Sequence, residues 1–201
     1  MHGIIPLNSS INLHTVILAA GPSLRFGSPK QLVRFQGRTL LQRVLGTADE
    51  ISAGAMSVVL GAHAADIVAA LPTGRASVLI NRDWQEGVAG SLRLAVRSLP
   101  GSCNALLVLF ADQPMVTAAG LDRLVSACRR QPRQIIASRY AKATGVPAIF
   151  PRWCFEALCD LRGDQSVHAL ITRHSDHVVG LPLPEAAVDI NVPEDLLELS
   201  S

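Results

Sequence analysis

The chain has 201 residues, 49% hydrophobic, 4% aromatic and 17% charged, with a net charge of +2. So little charge beside so much apolar residue excludes a disordered chain, and the length suits one domain with a large aliphatic core. A charge of +2 makes no broad basic field, so nucleic acid is not an expected partner, and the longest apolar run, Ala105–Ala111, falls short of the roughly 20 residues of a membrane helix, so neither is a membrane.

Residues 1–13 lack the basic start and apolar run of a signal peptide and read as an N-terminal extension; residues 14–201 read as a single domain. His14–Ala20 predicts a buried strand. Leu40, Leu41, Val44, Leu45, Ala48 and Ile51 recur at helical spacing within Thr39–Ile51. Ala55–Leu60 reads as a second strand, Ala64–Leu71 as a second helix stopped at Pro72, and Ala76–Ile80 as a third strand. Val88–Leu99 is a helix ended by Pro100-Gly101, and Asn104–Phe110 is the most apolar strand. Thr117–Arg130 is the next helix, with Thr117 as its N-cap. Gln134–Arg139 and Val146–Phe150 read as strands flanking a hairpin-like excursion, Lys142–Gly145. Short helices follow at Trp153–Leu161 and Gln165–Thr172. A last strand, His177–Pro182, leads to an extended Val188–Val192 and a helix from Pro193. Strands apolar on both faces, each followed by a helix, predict an α/β architecture of three layers: a mostly parallel sheet covered on both sides, with a modified second half.

Two compositional details bear on chemistry. Cys103, Cys128, Cys154 and Cys159 form no C-x-x-C pair, which points to reduced thiols in the cytoplasm. Of 18 basic residues 16 are Arg and two are Lys, Lys30 and Lys142. Either composition favours Arg, or a compact ammonium is needed at these positions.

The strongest site signal is the segment Leu18–Leu32, LAAGPSLRFGSPKQL, just past the end of the first strand, where open α/β sheets bind ligands. Gly21 and Gly27 permit close backbone approach, and Arg25 and Lys30 add two cations beside amides able to cradle phosphate. The Walker A and G-x-G-x-x-G patterns both fail here. Taken alone, the segment reads more readily as an ordinary Gly/Pro surface turn with incidental cations.

The whole string, L-A-A-G-x-S-x-R-x-G-x-x-K, resembles the nucleotide-binding motif of the MobA-like NTP transferases, and within them most closely that of the molybdenum cofactor cytidylyltransferases (the MocA type). The resemblance runs from about Thr15 to Leu196. It implies the Rossmann-like nucleotide-diphospho-sugar transferase fold and a nucleotide site formed by Leu18, Ala19, Ala20, Gly21, Ser23, Arg25, Gly27 and Lys30. Leu18-Ala19-Ala20-Gly21 is the cytidylyl form of the motif and implies CTP over GTP. Asn81-Arg-Asp-Trp-Gln-Glu-Gly87 with Ser91-Leu92 resembles a further nucleotide segment, implying that Asn81, Gly87 and Ser91 lie against base and ribose. Read locally, it is a capped helix start with Trp84 in the core. Asp112-Gln-Pro114 resembles the family's D-x-P, which implies Mg²⁺ on Asp112, with Mn²⁺ as a substitute; locally, Asp112 also suits a helix cap before Thr117. Val188-Asp-Ile-Asn-Val-Pro-Glu-Asp-Leu196 resembles D-I-D-T-P-E-D-L, so Asp189 and Asn191, on one face of a strand, join Asp112 as metal ligands. Asn191 replaces the usual Asp, removing one charge, and Val192 replaces Thr, removing an N-cap oxygen.

The resemblance also marks an acceptor side. Gly145-Val-Pro147 matches a G-x-P, and Gly163-Asp164 begins G-D-x-G-A-R, where Ser166-Val167-His168 depart from the pattern. Gly145, Pro147, Gly163, Asp164 and His168 are the candidate acceptor residues; His168 read alone is a helix-surface residue. The implied reaction is CMP transfer from CTP to the phosphate of molybdopterin, with Arg25, Lys30 and Asp112 catalytic and pyrophosphate leaving. A molybdenum hydroxylase is the implied recipient. The alternatives are a cofactor-handling protein with little catalysis, and a cytidylyltransferase for a sugar or polyol phosphate.

Overall fold

A computed structural model describes residues 11–52, 54–140, 143–163, 165 and 167–199. Residues 1–10, Lys142, Asp164 and Ser166 therefore lie outside the described residues, and with them most of the expected extension, one of the two lysines and one acceptor candidate.

The first strand, β1 (Leu13–Ala19), is buried on both faces from Thr15 onward. A small hairpin, β2 (Arg34–Phe35) and β3 (Arg38–Thr39), precedes α1 (Leu40–Ser52). Then come β4 (Met56–Leu60), α2 (Ala64–Ala70), β5 (Ser77–Ile80), α3 (Val88–Arg97), β6 (Ala105–Phe110) and α4 (Ala118–Arg130). Thr117 caps α4 as expected, its Oγ1 accepting from the Gly120 N–H at 3.1 Å. The second half carries β7 (Ile135–Tyr140), β8 (Ala143–Pro151), α5 (Phe155–Asp160), α6 (Val167–Arg173), β9 (Val178–Pro182) and α7 (Pro193–Glu198).

Seven strands form one sheet in the order β5-β4-β1-β6-β8-β7-β9. β8 runs antiparallel to both its neighbours, and the other pairings are parallel. Ile17, Leu107 and Leu60 join α1, α2 and α4 side chains on one face; Val16, Val108 and Phe150 join α3, α5 and α6 on the other. The expected doubly covered, mostly parallel sheet is therefore present. Chain order reverses at β1, with β4 on one side and β6 on the other. This is the switch point at which open α/β sheets leave a crevice past their strand ends. Among the described residues no helix is long and apolar enough to cross a membrane.

Three segments differ from expectation. Ala143–Gly145 belong to β8, paired with Tyr140, Arg139 and Ser138, so the hairpin is tighter than a four-residue excursion. Ser77–Ile80 is an edge strand, and Ile80 is 45% exposed. Val188–Val192 is not a strand. The turn Pro184–Ala187 enters it and Pro193, which has no N–H to donate, leaves it. One backbone bond, from the Ile190 N–H to the Asp112 carbonyl (2.9 Å), seats it. Ile190 is fully buried in a small cluster with Phe35 and Leu40, against which Phe26 and Leu196 pack.

Candidate nucleotide and metal site

The crevice holds a pocket of about 280 Å³ with three walls. Leu18, Ala19, Ala20, Gly21, Pro22, Lys30 and Gln31 form the first. Trp84, Gly87, Val88 and Ser91 form the second, and Phe110, Ala111 and Asp112 the third.

The first wall is a loop folded back on itself. Ser23 and Gly27 both have positive φ (56° and 73°), which reverses the chain so that Lys30–Leu32 returns as a short 3₁₀ turn. Ser23 Oγ accepts from the Lys30 N–H (3.1 Å) and donates to Gln31 Oε1 (3.4 Å). Gln31 Nε2 donates to the carbonyls of Ala19 (2.8 Å) and Gly21 (3.1 Å). Buried Gln31 thus ties both ends of the loop together.

The second wall depends on two braces. Asn81 Nδ2 donates to Ser91 Oγ (3.0 Å), and Asn81 Oδ1 accepts from the Asp83 N–H (3.1 Å). Gly87, with φ 84°, leads into α3. Behind this wall stands Gly61, where a Cβ would lie 2.5 Å from Trp84 Cβ and 2.7 Å from the Ala20 carbonyl oxygen.

The third wall carries the charge. Lys30 Nζ donates to Asp112 Oδ2 (2.6 Å), to the Ile190 carbonyl (3.1 Å) and to Asn191 Oδ1 (3.3 Å). Asp112 Oδ1 is buried with no hydrogen-bond partner among the described residues. Asp189 has its carboxyl pushed up to about 6, by burial first and by the neighbouring Asp112 carboxylate second, with Lys30 opposing. Asp195 Oδ2 accepts from the N–H groups of Asn191 (2.6 Å) and Val192 (2.9 Å), which hold its own carboxyl below the usual range. Valine supplies no side-chain acceptor at the start of α7, so Asp195 alone closes that end. A set of carboxylate, amide and carbonyl oxygens suits a hard divalent cation. Asp112, Asp189 and Asn191 are the residues able to hold one. Among the described residues no three His, Cys, Asp or Glu side chains group as a metal cage, so such a cation would take part of its shell from a ligand's phosphates.

The nucleotide and metal candidates thus largely converge, with these differences: Asp189 and Asn191 stand beside Lys30 and Asp112 but outside the pocket lining. Arg25 is exposed and lies outside the pocket lining, on the side of Asp195. Ser23 and Gly27 shape the loop instead of lining the pocket, and Asn81 acts through Ser91. None of the described acceptor candidates lines this pocket. Gly145 makes room for the chain's one tyrosine, since a Cβ there would lie 2.7 Å from Tyr140 Oη. The Pro147 carbonyl accepts from Ser138 Oγ (2.6 Å). The Gly163 carbonyl accepts from the Ala89 N–H (3.3 Å), and His168 is exposed on α6. Sequence reasoning missed Gln31, a neutral side chain with no periodic or charge signal. It also missed Gln113, whose Nε2 donates to the Ala186 carbonyl (2.9 Å), and Tyr140, whose phenol is pushed up by burial and by Asp189.

Comparison with known proteins bears on this site. A family profile described as "MobA-like NTP transferase domain" matches residues 15–178. Nicotine blue oxidoreductase of Paenarthrobacter nicotinovorans is 32% identical over 127 residues, 63% of this chain and 61% of that protein, so the chain spans under two thirds of that relative. Rv0371c of Mycobacterium tuberculosis H37Rv superposes with a TM-score of 0.83 at 30% identity, covering 96% of this chain and 98% of that one. A structure of Rv0371C in complex with manganese superposes with a TM-score of 0.77 at 27% identity, covering 95% and 98%.

Proposed function

The chain belongs to the MobA-like NTP transferase family, and from that premise we propose that it transfers CMP from CTP to the terminal phosphate of a molybdopterin-type cofactor, releasing pyrophosphate. The observation that carries this reading is that Lys30 and Asp112 meet in the lining of a pocket walled by a braced Gly-containing loop, with Asn191 bonded to the same ammonium. An acceptor phosphate oxygen attacks the α-phosphorus of CTP, forming a P–O bond as the bond to the β-phosphate oxygen breaks.

No residue needs to become covalently attached, because such transfer is largely positioning and charge stabilisation. Gly21 and Pro22 border the phosphates, and Lys30 neutralises charge growing on the leaving pyrophosphate. Trp84, Gly87 and Ser91 bound the base and ribose, and the Leu18-Ala19-Ala20-Gly21 form of the loop supports CTP over GTP. Asp112, Asn191 and Asp189 would hold Mg²⁺, or Mn²⁺, which when bound offsets phosphate charge. The manganese complex of a similar chain and the unpartnered Asp112 Oδ1 support that assignment. Arg25 stands on the solvent side, where it would meet outer phosphate oxygens. Unpaired cysteines suit a cytoplasmic enzyme.

A second reading, a cofactor-handling protein with little catalysis, is favoured by Asn191 in place of a carboxylate. One assay separates the two: radiolabelled α-phosphate CTP, Mg²⁺ and purified molybdenum cofactor, followed for labelled product and pyrophosphate. Equimolar product and pyrophosphate are expected, with GTP far poorer. CTP binding without pyrophosphate release would overturn transfer in favour of handling. Release with a polyol phosphate in place of the cofactor would overturn the acceptor.

A further inference from the structure

We propose that Lys30 is the resident cation of this site, and that a divalent metal reaches Asp112 only as the Lys30 ammonium leaves it for the nucleotide's phosphates. The inference rests on the nucleotidyl-transfer reading for the identity of the incoming anion, and on the protein's own geometry for the exchange.

An ammonium carries three N–H donors, and here all three have oxygen partners, on Asp112, Ile190 and Asn191. Two of these oxygens belong to the residues placed to bind metal. Of the two Asp112 oxygens, Oδ2 is taken by the ammonium and Oδ1 is shut away from solvent. While Lys30 stays, a cation must therefore compete with the ammonium for the accessible oxygen of this carboxylate. Both side chains are about four-fifths buried, at 18% and 20% exposure, so water does little to loosen the pair.

The lysine backbone is pinned by Ser23 Oγ and by the 3₁₀ turn, while its four-carbon stem remains rotatable. Lys30 also lines the pocket shared with Gly21 and Pro22, so the ammonium reaches a triphosphate without any loop movement. A nucleotide supplies several anionic oxygens in exchange for one carboxylate. Metal alone supplies none and must compete with the ammonium. Metal and nucleotide consequently enter together, and metal by itself binds weakly.

The test uses Mn²⁺ alone, with free Mn²⁺ followed by electron paramagnetic resonance on the folded full chain. Lys30→Met is expected to bind Mn²⁺ at least tenfold more tightly than the wild type, and adding Asp112→Asn should abolish the gain. Equal affinities, or a gain insensitive to Asp112→Asn, overturn the proposal. A second measurement leaves Lys30 itself unchanged. The chain has two lysines, so a ¹³Cε-lysine spectrum shows two side-chain signals, and Lys142→Arg identifies that of Lys30. Mg²⁺ with CTP should shift the Lys30 signal; an unmoved signal under conditions that complete CTP binding overturns the exchange. Tighter metal binding by Lys30→Met in a protein that releases no pyrophosphate would overturn the transfer reading alone and leave the exchange supported.

Discussion

Lys30 shows how one side chain ties three distant segments together. Lys30→Ala leaves a largely buried carboxylate without a partner, at a cost of about 1–3 kcal/mol, because desolvation is no longer offset. With its task in the proposed reaction also lost, turnover should fall by about 10²–10³-fold while the circular dichroism spectrum keeps its native shape. Near-normal turnover would remove Lys30 from the reaction. Lys30→Arg should rescue little, since a planar guanidinium does not match three oxygens arranged around a point charge. Lys30, Asp112 and Asn191 were legible in the sequence through their spacing within known motifs. Arg25 was legible too, yet it stands exposed. A motif fixes the order of residues along a loop, and the positive φ at Ser23 and Gly27 decides which of them turn inward.

At the scale of elements, periodicity identified every strand of the main sheet and every α-helix. It passed over β2 and β3 because two-residue strands are too short to carry a period. It misread Val188–Val192 for the opposite reason. Apolar Val188, Ile190 and Val192 do alternate with Asp189 and Asn191, but flanking Pro184 and Pro193 deny the segment a ladder. Alternation still aimed Ile190 inward and left Asp189 and Asn191 beside Lys30, so the expected placement of these side chains did not depend on a strand. The acceptor side was less legible, since Gly145 proves to be space for a phenol, a role no spacing announces. Gly61 gives the test of the pocket walls. Gly61→Ala would set a methyl against Trp84 and the Ala20 carbonyl, and overpacking of this kind costs about 1–3 kcal/mol. A melting temperature lower by about 3–10 °C is expected, with KM for CTP raised more than kcat is lowered. An unchanged melting temperature would mean that Trp84 yields freely.

Across the whole molecule, the segment after β9 crosses back to the start of the chain and docks Ile190 among Phe35 and Leu40. Ile190→Ala should open a cavity costing about 2–4 kcal/mol, lowering the melting temperature by about 4–15 °C by calorimetry. Metal affinity should fall with it, because Asn191 loses its anchor; a tight-binding variant with an unchanged melting temperature would show that the seat forms without this docking. The sheet itself pairs β1 with the distant β6, and Lys30 and Asn191 lie farther apart still, 161 residues along the chain. Bringing such distant points together costs chain entropy that only an already folded framework reduces. The junction of Lys30 with Asn191 is therefore expected to be the last contact made on folding and the first given up. Substitutions there should accelerate unfolding and leave the folding rate nearly untouched, so the protein can lose its chemistry in brief local openings long before it loses its shape.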